Sequence, residues 1–352
     1  MKILYAVQGT GNGHMSRAQD VISALMKRAS VDVLVSGIQA DLELPFPVKY
    51  RFRGLSFIFG KKGGVDLLAT YKSYRIRKLL KEIKSCPVEK YDLVINDFEP
   101  ISAWACKLKG VKSIALSHQG ALRSKLVPKP FHFDLIGWLV LKYYAPCRDY
   151  YSFHFKKYDR NIYSPIIRNE IREHPISNEG HFTVYLPSYG DQKLIKVLSK
   201  IKKVKWQVFS KHSKKSYSIK NVAIHPIDKN KFTKSIASAT GVLCGAGFET
   251  PAEALYLSKK LMVIPMAAQY EQHFNAKSLA DLGVPVIPKL SKKHLKMIKK
   301  WTKAEQTIPV YFPNETQSII DKLLQEHLQQ EYVGKMQPST TQLSPLPKFK
   351  LS

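Results

Sequence analysis

Short apolar runs alternate with amphipathic stretches along most of the chain. In the first half, KILYAVQ, VDVLVS, YDLVIND and KSIALSH are rich in Val, Ile and Leu and end in polar residues. Helical spacing fills the intervals at 15–28, 67–84 and 100–108. Buried strands alternating with helices predict a parallel, doubly wound sheet. The aromatic segment FHFDLIGWLVLKYYAPCRDYYSFHF at 131–155 predicts a packed helix pair, with a membrane-facing or acceptor-facing role as the alternative. After Arg168 the chain turns polar, with Pro175, Ser177, Asn178 and Gly180, and reads as a linker over 169–180.

The pattern then restarts. HFTVYLPSYG, KWQVFSK, NVAIHPI, GVLCGAG and KLMVIPM read as strands, some with tight loops. Helices are predicted at 191–200, 229–239, 249–257, 273–282 and 315–330. The expectation is α/β: two Rossmann-like domains facing across a cleft, the first over 1–168 and the second over 181–330. The last helix is expected to close the fold and to pack back on the first domain. From Glu331 the chain is rich in Pro, Ser, Thr and Gln, and 331–352 reads as a disordered tail.

Composition narrows the class. At 352 residues with 44% apolar content, the chain can bury two cores. No run reaches the roughly 18 apolar residues that a membrane helix needs. A core strand follows Lys2 directly, with no signal-peptide pattern, so residence in the cytosol is expected. Cys86, Cys106, Cys147 and Cys244 are scattered without C-x-x-C spacing, as reduced thiols are, and supply no metal site. The formal net charge of +29 suits polyanions such as nucleic acid, anionic lipid or phosphorylated small molecules, or a lysine-rich solvated surface. Around Lys289 to Lys303, Leu290, Leu295, Ile298 and Trp301 recur at helical spacing. That segment reads either as a basic amphipathic helix for the inner face of a membrane or as an ordinary surface helix.

The loop GTGNGHMSRA after the first strand carries the first candidate chemistry. It is not a dinucleotide fingerprint: His14 occupies the last glycine slot, and the second strand ends in Ser36 rather than an acid. No Walker sequence occurs, since GLSFIFGKK has the wrong spacing. An active-site loop remains, because ligands of open α/β sheets bind beyond the carboxyl ends of the strands. His14, Asp97 and His118 all lie at such ends. A carboxylate beside an imidazole fixes its tautomer and makes an oriented base; each residue alone can equally cap a helix. In the second half, CGAGFETPAEA sets Gly245, Gly247 and Thr250 at a helix start, where free amides bind phosphate. Glu253 on the first turns of that helix is suited to vicinal hydroxyls such as ribose. Glu271 and Gln272 in PMAAQYEQHFNA are suited to sugar hydroxyls.

Taken in order, GTGNGH, the strand ending in Asp97, HQG, GAGFETPAEA and YEQHFNA resemble the GT-B glycosyltransferases. These include the UDP-dependent glycosyltransferases and the enzyme that adds N-acetylglucosamine to lipid I. The similarity covers most of 1–330 and is strongest over 222–284. It implies that His14 is the acceptor-activating base and Asp97 its partner. It implies an acceptor side with Gly11, Gly13, His118 and Gln119. It turns Arg168 toward the donor diphosphate, Ser188 and Gly190 toward the donor, and the Ile227 backbone toward uracil. Thr250 takes a phosphate-contacting place, Glu253 binds ribose, and Glu271 with Gln272 reads the donor sugar. Three features depart from the pattern. Gly245 stands where the plant-type branch has a phosphate-binding histidine. The opening loop is one residue longer than GTGGH. Glu271 replaces an Asp or Gln.

The expected activity is transfer of a sugar from a nucleotide-sugar, UDP-linked, to an acceptor hydroxyl, inverting and metal-independent. No cofactor beyond the donor substrate is expected, and no D-x-D pair appears. A lipid-linked acceptor and contact with anionic membrane are weakly indicated by the basic surface and the aromatic segment. Two alternatives share some of these features: a UDP-sugar 2-epimerase of the same fold, and a non-catalytic basic binder of nucleic acid or membrane. Against the binder, helix-turn-helix, RNP and zinc-finger patterns are absent.

Overall fold

The computed structural model describes residues 1–10, 12–37, 44–55, 76–130, 133–267 and 269–336, with side chains to Gln329. Gly11 and the 67–75 part of the predicted second helix lie outside the described residues.

The first half runs β1 (Lys2–Gln8), α1 (Asn12–Met26), β2 (Ser30–Ser36), β3 (Val48–Phe52), α2 (Ile76–Ser85), β4 (Leu93–Asp97), α3 (Pro100–Lys109), β5 (Ser113–Leu116), α4 (His118–Ala121), α5 (Leu135–Tyr143), β6 (Asp149–Phe153) and β7 (Ile162–Tyr163). Its seven strands are all parallel, in the order β3-β2-β1-β4-β5-β6-β7. A one-turn helix, α6 (Asn169–Arg172), opens the stretch expected to be an irregular linker.

The second half runs β8 (His181–Tyr185), α7 (Asp191–Leu198), β9 (Lys205–Ser210), β10 (Tyr217–Ile219), β11 (Val222–Pro226), α8 (Lys229–Ser238), β12 (Gly241–Gly245), α9 (Glu249–Tyr256), β13 (Lys260–Ile264), α10 (Tyr270–Asp281), α11 (Leu295–Lys303) and α12 (Thr316–Met336). The sheet order is β10-β11-β9-β8-β12-β13, parallel except for the β10–β11 pair. Two parallel α/β sheets with helices make the expected pair of Rossmann-like domains.

In each sheet the strand order reverses beside the first strand of its half, between β1 and β4 and between β8 and β12. A crevice opens at such a point because the flanking connections leave in opposite directions. The loops after β1, β11 and β12, with the ends of β8 and β9, border one cleft.

Two expectations are corrected, and one reading left open between alternatives is decided. The 131–155 segment is not a helix pair: only α5 is helical, and DYYSF forms β6. Tyr151, Ser152 and Phe153 are buried in the sheet, where aromatic residues favour extended backbone. Of the two readings left open for α11, the ordinary surface helix holds. Ile298 and Trp301 are buried in the second core with Leu290, leaving the lysines outside. The last helix runs to Met336, past Gln330, so 331–336 is helical backbone; 337–352 lies outside the described residues. As expected, this helix returns to the first domain. Ile319, Ile320, Leu323 and Leu324 join the core beneath α1, and Arg28 pairs bidentately with Asp321.

Candidate active site

The cleft is built from strand ends. β4 delivers Asp97, fully buried, and the next residue, Phe98, takes a left-handed φ of 54°. A non-glycine residue in that region is strained by about 1–3 kcal/mol and persists only where its surroundings hold it. Here the Phe98 ring stacks 4.9 Å from Tyr144 and 6.4 Å from the His14 ring. The bend also starts α3, whose cap Glu99 accepts from the amides of Ile101 and Ser102. The turn thus fixes Asp97 under α1, where His14 sits on the first helical turn.

His14 Nδ1 lies 2.8 Å from Asp97 Oδ1. The carboxylate accepts the Nδ1 proton, which leaves the lone pair on Nε2. Gln119 Nε2 is 3.0 Å from that atom, and the imidazole side chain keeps 12% exposure. Burial pulls the His14 pKa down, but the charge and hydrogen bond of Asp97 outweigh it, so the pKa ends above the usual 6.5. Burial likewise raises Asp97, and the guanidinium of Arg17 with His14 brings it down to about 2. The two halves of the dyad therefore stand as an ionised carboxylate and an imidazole whose proton affinity that carboxylate raises.

Residues from the second domain close over this dyad. Glu271, at the start of α10, accepts from His118 Nε2 at 2.8 Å and from Gln119 Nε2 at 3.1 Å. Burial raises the Glu271 carboxyl, and His118 brings it down to about 2. Gln119 thereby links His14 and Glu271 across the cleft. Gln272, its sequence neighbour, points elsewhere. It accepts from the Met266 amide at 3.0 Å and donates to Gln269, so it braces the loop before α10.

A cleft of about 230 Å³ lies beside this seam. Gly13, Arg168, Ile227, Gly247, Thr250 and Glu253 line it, six of the residues singled out in the sequence. Arg168 and Glu253 form a buried fork, Nε to Oε1 at 2.5 Å and Nη2 to Oε2 at 3.0 Å. Ser188 and Gly190 sit in the β8–α7 loop, with Gly190 capping α7, and Gly245 ends β12 facing Gln272; none of the three lines the cleft. At Gly247 a Cβ would meet nothing within 4 Å, so the backbone before α9 is open to the cleft. At Gly13 a Cβ would lie 2.5 Å from Glu249 Oε2, so glycine there admits the second domain's carboxylate to α1. This accounts for one glycine of the opening loop.

Several site residues carried no recognised signal in the sequence. Tyr185, Phe209 and Phe232 form an aromatic wall at the Ile227 end, with ring centroids 5.2–5.4 Å apart. Arg17, three residues after His14, is 1% exposed and bonds both Asp97 oxygens, at 2.6 and 2.9 Å. It also reaches Glu249. Its helical spacing from His14 was the available clue, because residues three apart share a helix face. Among the described residues, no three His, Cys, Asp or Glu side chains converge as metal ligands, and no helix is long and apolar enough to cross a membrane.

Two Rossmann-like domains, with a His–Asp dyad on one lip of the cleft and a glycine-opened helix start on the other, define a GT-B glycosyltransferase. The chain belongs to the family described as Glycosyl transferase family 1, which matches residues 1–304. It is an enzyme of sugar transfer. No curated protein matches it. Solved structures share the fold at low identity. The glycotransferase of kitacinnamycin is 13% identical, with TM-score 0.55, covering 96% of this chain and 99% of its own. MurG of Acinetobacter baumannii is 16% identical, with TM-score 0.53 and coverage of 92% and 99%. Arabidopsis thaliana UGT89C1, solved in complex with UDP, is 14% identical, with TM-score 0.55 and coverage of 95% and 99%.

Proposed function

We propose that the enzyme moves a sugar from a UDP-linked donor to an acceptor hydroxyl, with inversion and without a metal. The observation that carries this reading is the His14–Asp97 dyad, whose Nε2 keeps its lone pair beside Gln119 next to a cleft ending at the open start of α9. His14 Nε2 takes the acceptor proton. The acceptor oxygen attacks the anomeric carbon as the bond to the diphosphate breaks, and the diphosphate leaves with the electron pair. The amides at the start of α9 and the Thr250 hydroxyl stabilise the charge that develops there. Uracil lies against the aromatic wall and the Ile227 backbone, ribose meets Glu253, and Glu271 reads the sugar beside Gln119. The UDP complex of the Arabidopsis relative supports a uridine donor.

The acceptor in this reading is lipid-linked and is met at an anionic membrane surface. No residue of α5 is buried; Ile136 is 64% exposed, and Leu126, Phe133, Leu135 and Leu139 extend the apolar face. Lys142 stands over the Trp138 ring, Arg123 bonds the Lys142 carbonyl, and the chain carries +29. Apolar side chains beside cations suit the boundary of an anionic bilayer. The face adjoins the site, because Gly137 of α5 packs against Tyr270, next to Glu271.

The test is a thermal-shift titration with UDP, GDP, dTDP and ADP and their sugars in EDTA. A ligand that binds only the folded state raises the melting temperature. UDP and one UDP-sugar should raise it, and the product anomer read by NMR should be inverted relative to the donor. Silence with every nucleotide, dependence on Mg²⁺, or a retained anomer would each overturn the corresponding part.

A further inference from the structure

We propose that Arg17 is a positioning residue serving both lips of the cleft: it clamps Asp97 behind His14 and neutralises Glu249 at the start of the diphosphate-binding helix. The inference rests on the function proposed above.

Arg17 is a buried cation with two carboxylate partners on different domains. Its Nη2 holds both oxygens of Asp97, and its Nη1 bonds Glu249 and lies 3.3 Å from His118 Nδ1. The guanidinium carbon stands 5.7 Å over the Phe153 ring, which fixes its plane. With both terminal nitrogens engaged and 1% exposure, it is not placed to touch substrate.

Glu249 gives this arrangement its meaning. It occupies the first turn of α9 and lines the cleft. A carboxylate there would repel the diphosphate that the helix amides attract. Arg17 cancels that charge, and Gly13 leaves room for the contact. The same guanidinium stabilises Asp97 as the anion that orients His14. The contact therefore ties donor-side charge to acceptor-side geometry, and domain opening would break it.

Wild type, Arg17→Met, Arg17→Lys, Glu249→Gln and the double variant Arg17→Met/Glu249→Gln are compared by UDP titration and by transfer rate against pH. Circular dichroism confirms folding, and Arg17→Lys keeps the test alive if methionine does not fold. Arg17→Met should weaken UDP by about tenfold, the scale of one uncompensated nearby charge. The double variant should regain UDP affinity while kcat stays at least about 100-fold down, as for a lost oriented base. Arg17→Lys, a point charge unable to fork both carboxylates, should keep more UDP affinity than kcat. The pH profile adds a readout that scaffolding alone would not move. The groups facing His14 are Asp97, Arg17, Glu249, His118 and Gln119. Removing the Arg17 charge should move the acid limb to higher pH, and removing Glu249 should move it lower. Unchanged UDP affinity in folded Arg17→Met, or no recovery in the double variant, would overturn the inference while leaving the function intact. A wild type that binds no nucleotide would overturn both.

Discussion

The two lips of the cleft are built on opposite principles. On the first-domain side the side chains around the dyad are already engaged: Asp97 with His14 and Arg17, and His118 with Glu271. On the second-domain side the wall between Ile227 and Thr250 combines the Phe232 ring and the open backbone at Gly247 with Asp228, Lys229 and the Arg17-paired Glu249. The difference separates two tasks. A base needs its tautomer and orientation fixed before substrate arrives, and buried pairing does this. A site for a nucleotide needs unspent donors and apolar faces, and the open backbone at Gly247 and the aromatic wall supply them beside the paired Arg168, Glu253 and Glu249.

The largest expected effect breaks the paired side. His14→Ala should lower kcat by about 10²–10⁴-fold while UDP still binds; equal turnover, or lost UDP binding in a folded protein, would erase the distinction between the lips. The wild-type kcat/KM should rise with pH through a value above 6.5, because the raised pKa keeps His14 protonated, and inactive as base, below it. An acid limb below 6.5 would contradict the Asp97 effect. A smaller effect probes the edge of the open side. Glu253→Gln should weaken UDP by about 1.5–3 kcal/mol, the worth of a charged hydrogen bond, and should lower the melting temperature by stranding Arg168. Affinity equal to wild type would remove ribose from Glu253. The smallest effect on turnover of a soluble acceptor analogue should come from Trp138→Glu/Leu139→Glu on α5. Flotation with phosphatidylglycerol vesicles should instead fall strongly, since each buried apolar side chain contributes about 1.5–3 kcal/mol. Unaltered flotation would move membrane contact off α5.

Much of the scaffold was legible from periodicity. Runs such as KILYAVQ and GVLCGAG are buried on both faces and keep their strand signal whatever packs around them. The strand VKYRF was not recognised, because half-buried Val48, Tyr50 and Phe52 alternate with exposed Lys49 and Arg51 and it lacks a continuous apolar run. Two helices for which a membrane-facing reading was open came out differently. In α11 the period of Ile298 and Trp301 recorded a buried face, whereas no residue of α5 is buried and Leu135, Ile136 and Leu139 stay exposed. Periodicity reports that one face is hidden, not what hides it.

At the site, motif order located His14, Asp97, Thr250 and Glu253 because strand ends and helix starts are fixed by the fold. Partners set by side-chain reach across the cleft were not legible. Arg17 and Glu249 are 232 positions apart, and no local pattern relates them. Nor did adjacency separate Glu271, which crosses the cleft, from Gln272, which braces its own loop.

The return of the last helix to the first domain has a mechanical consequence. The chain crosses between the domains twice, through the stretch after Arg168 and again before Thr316, where Arg172 donates to the carbonyls of Phe312 and Pro313 and so ties the two crossings together. Two tethers joined side by side behave as a strap hinge: they bend about one axis and resist torsion. The lips can then part and meet along a single path, returning each time in the same register.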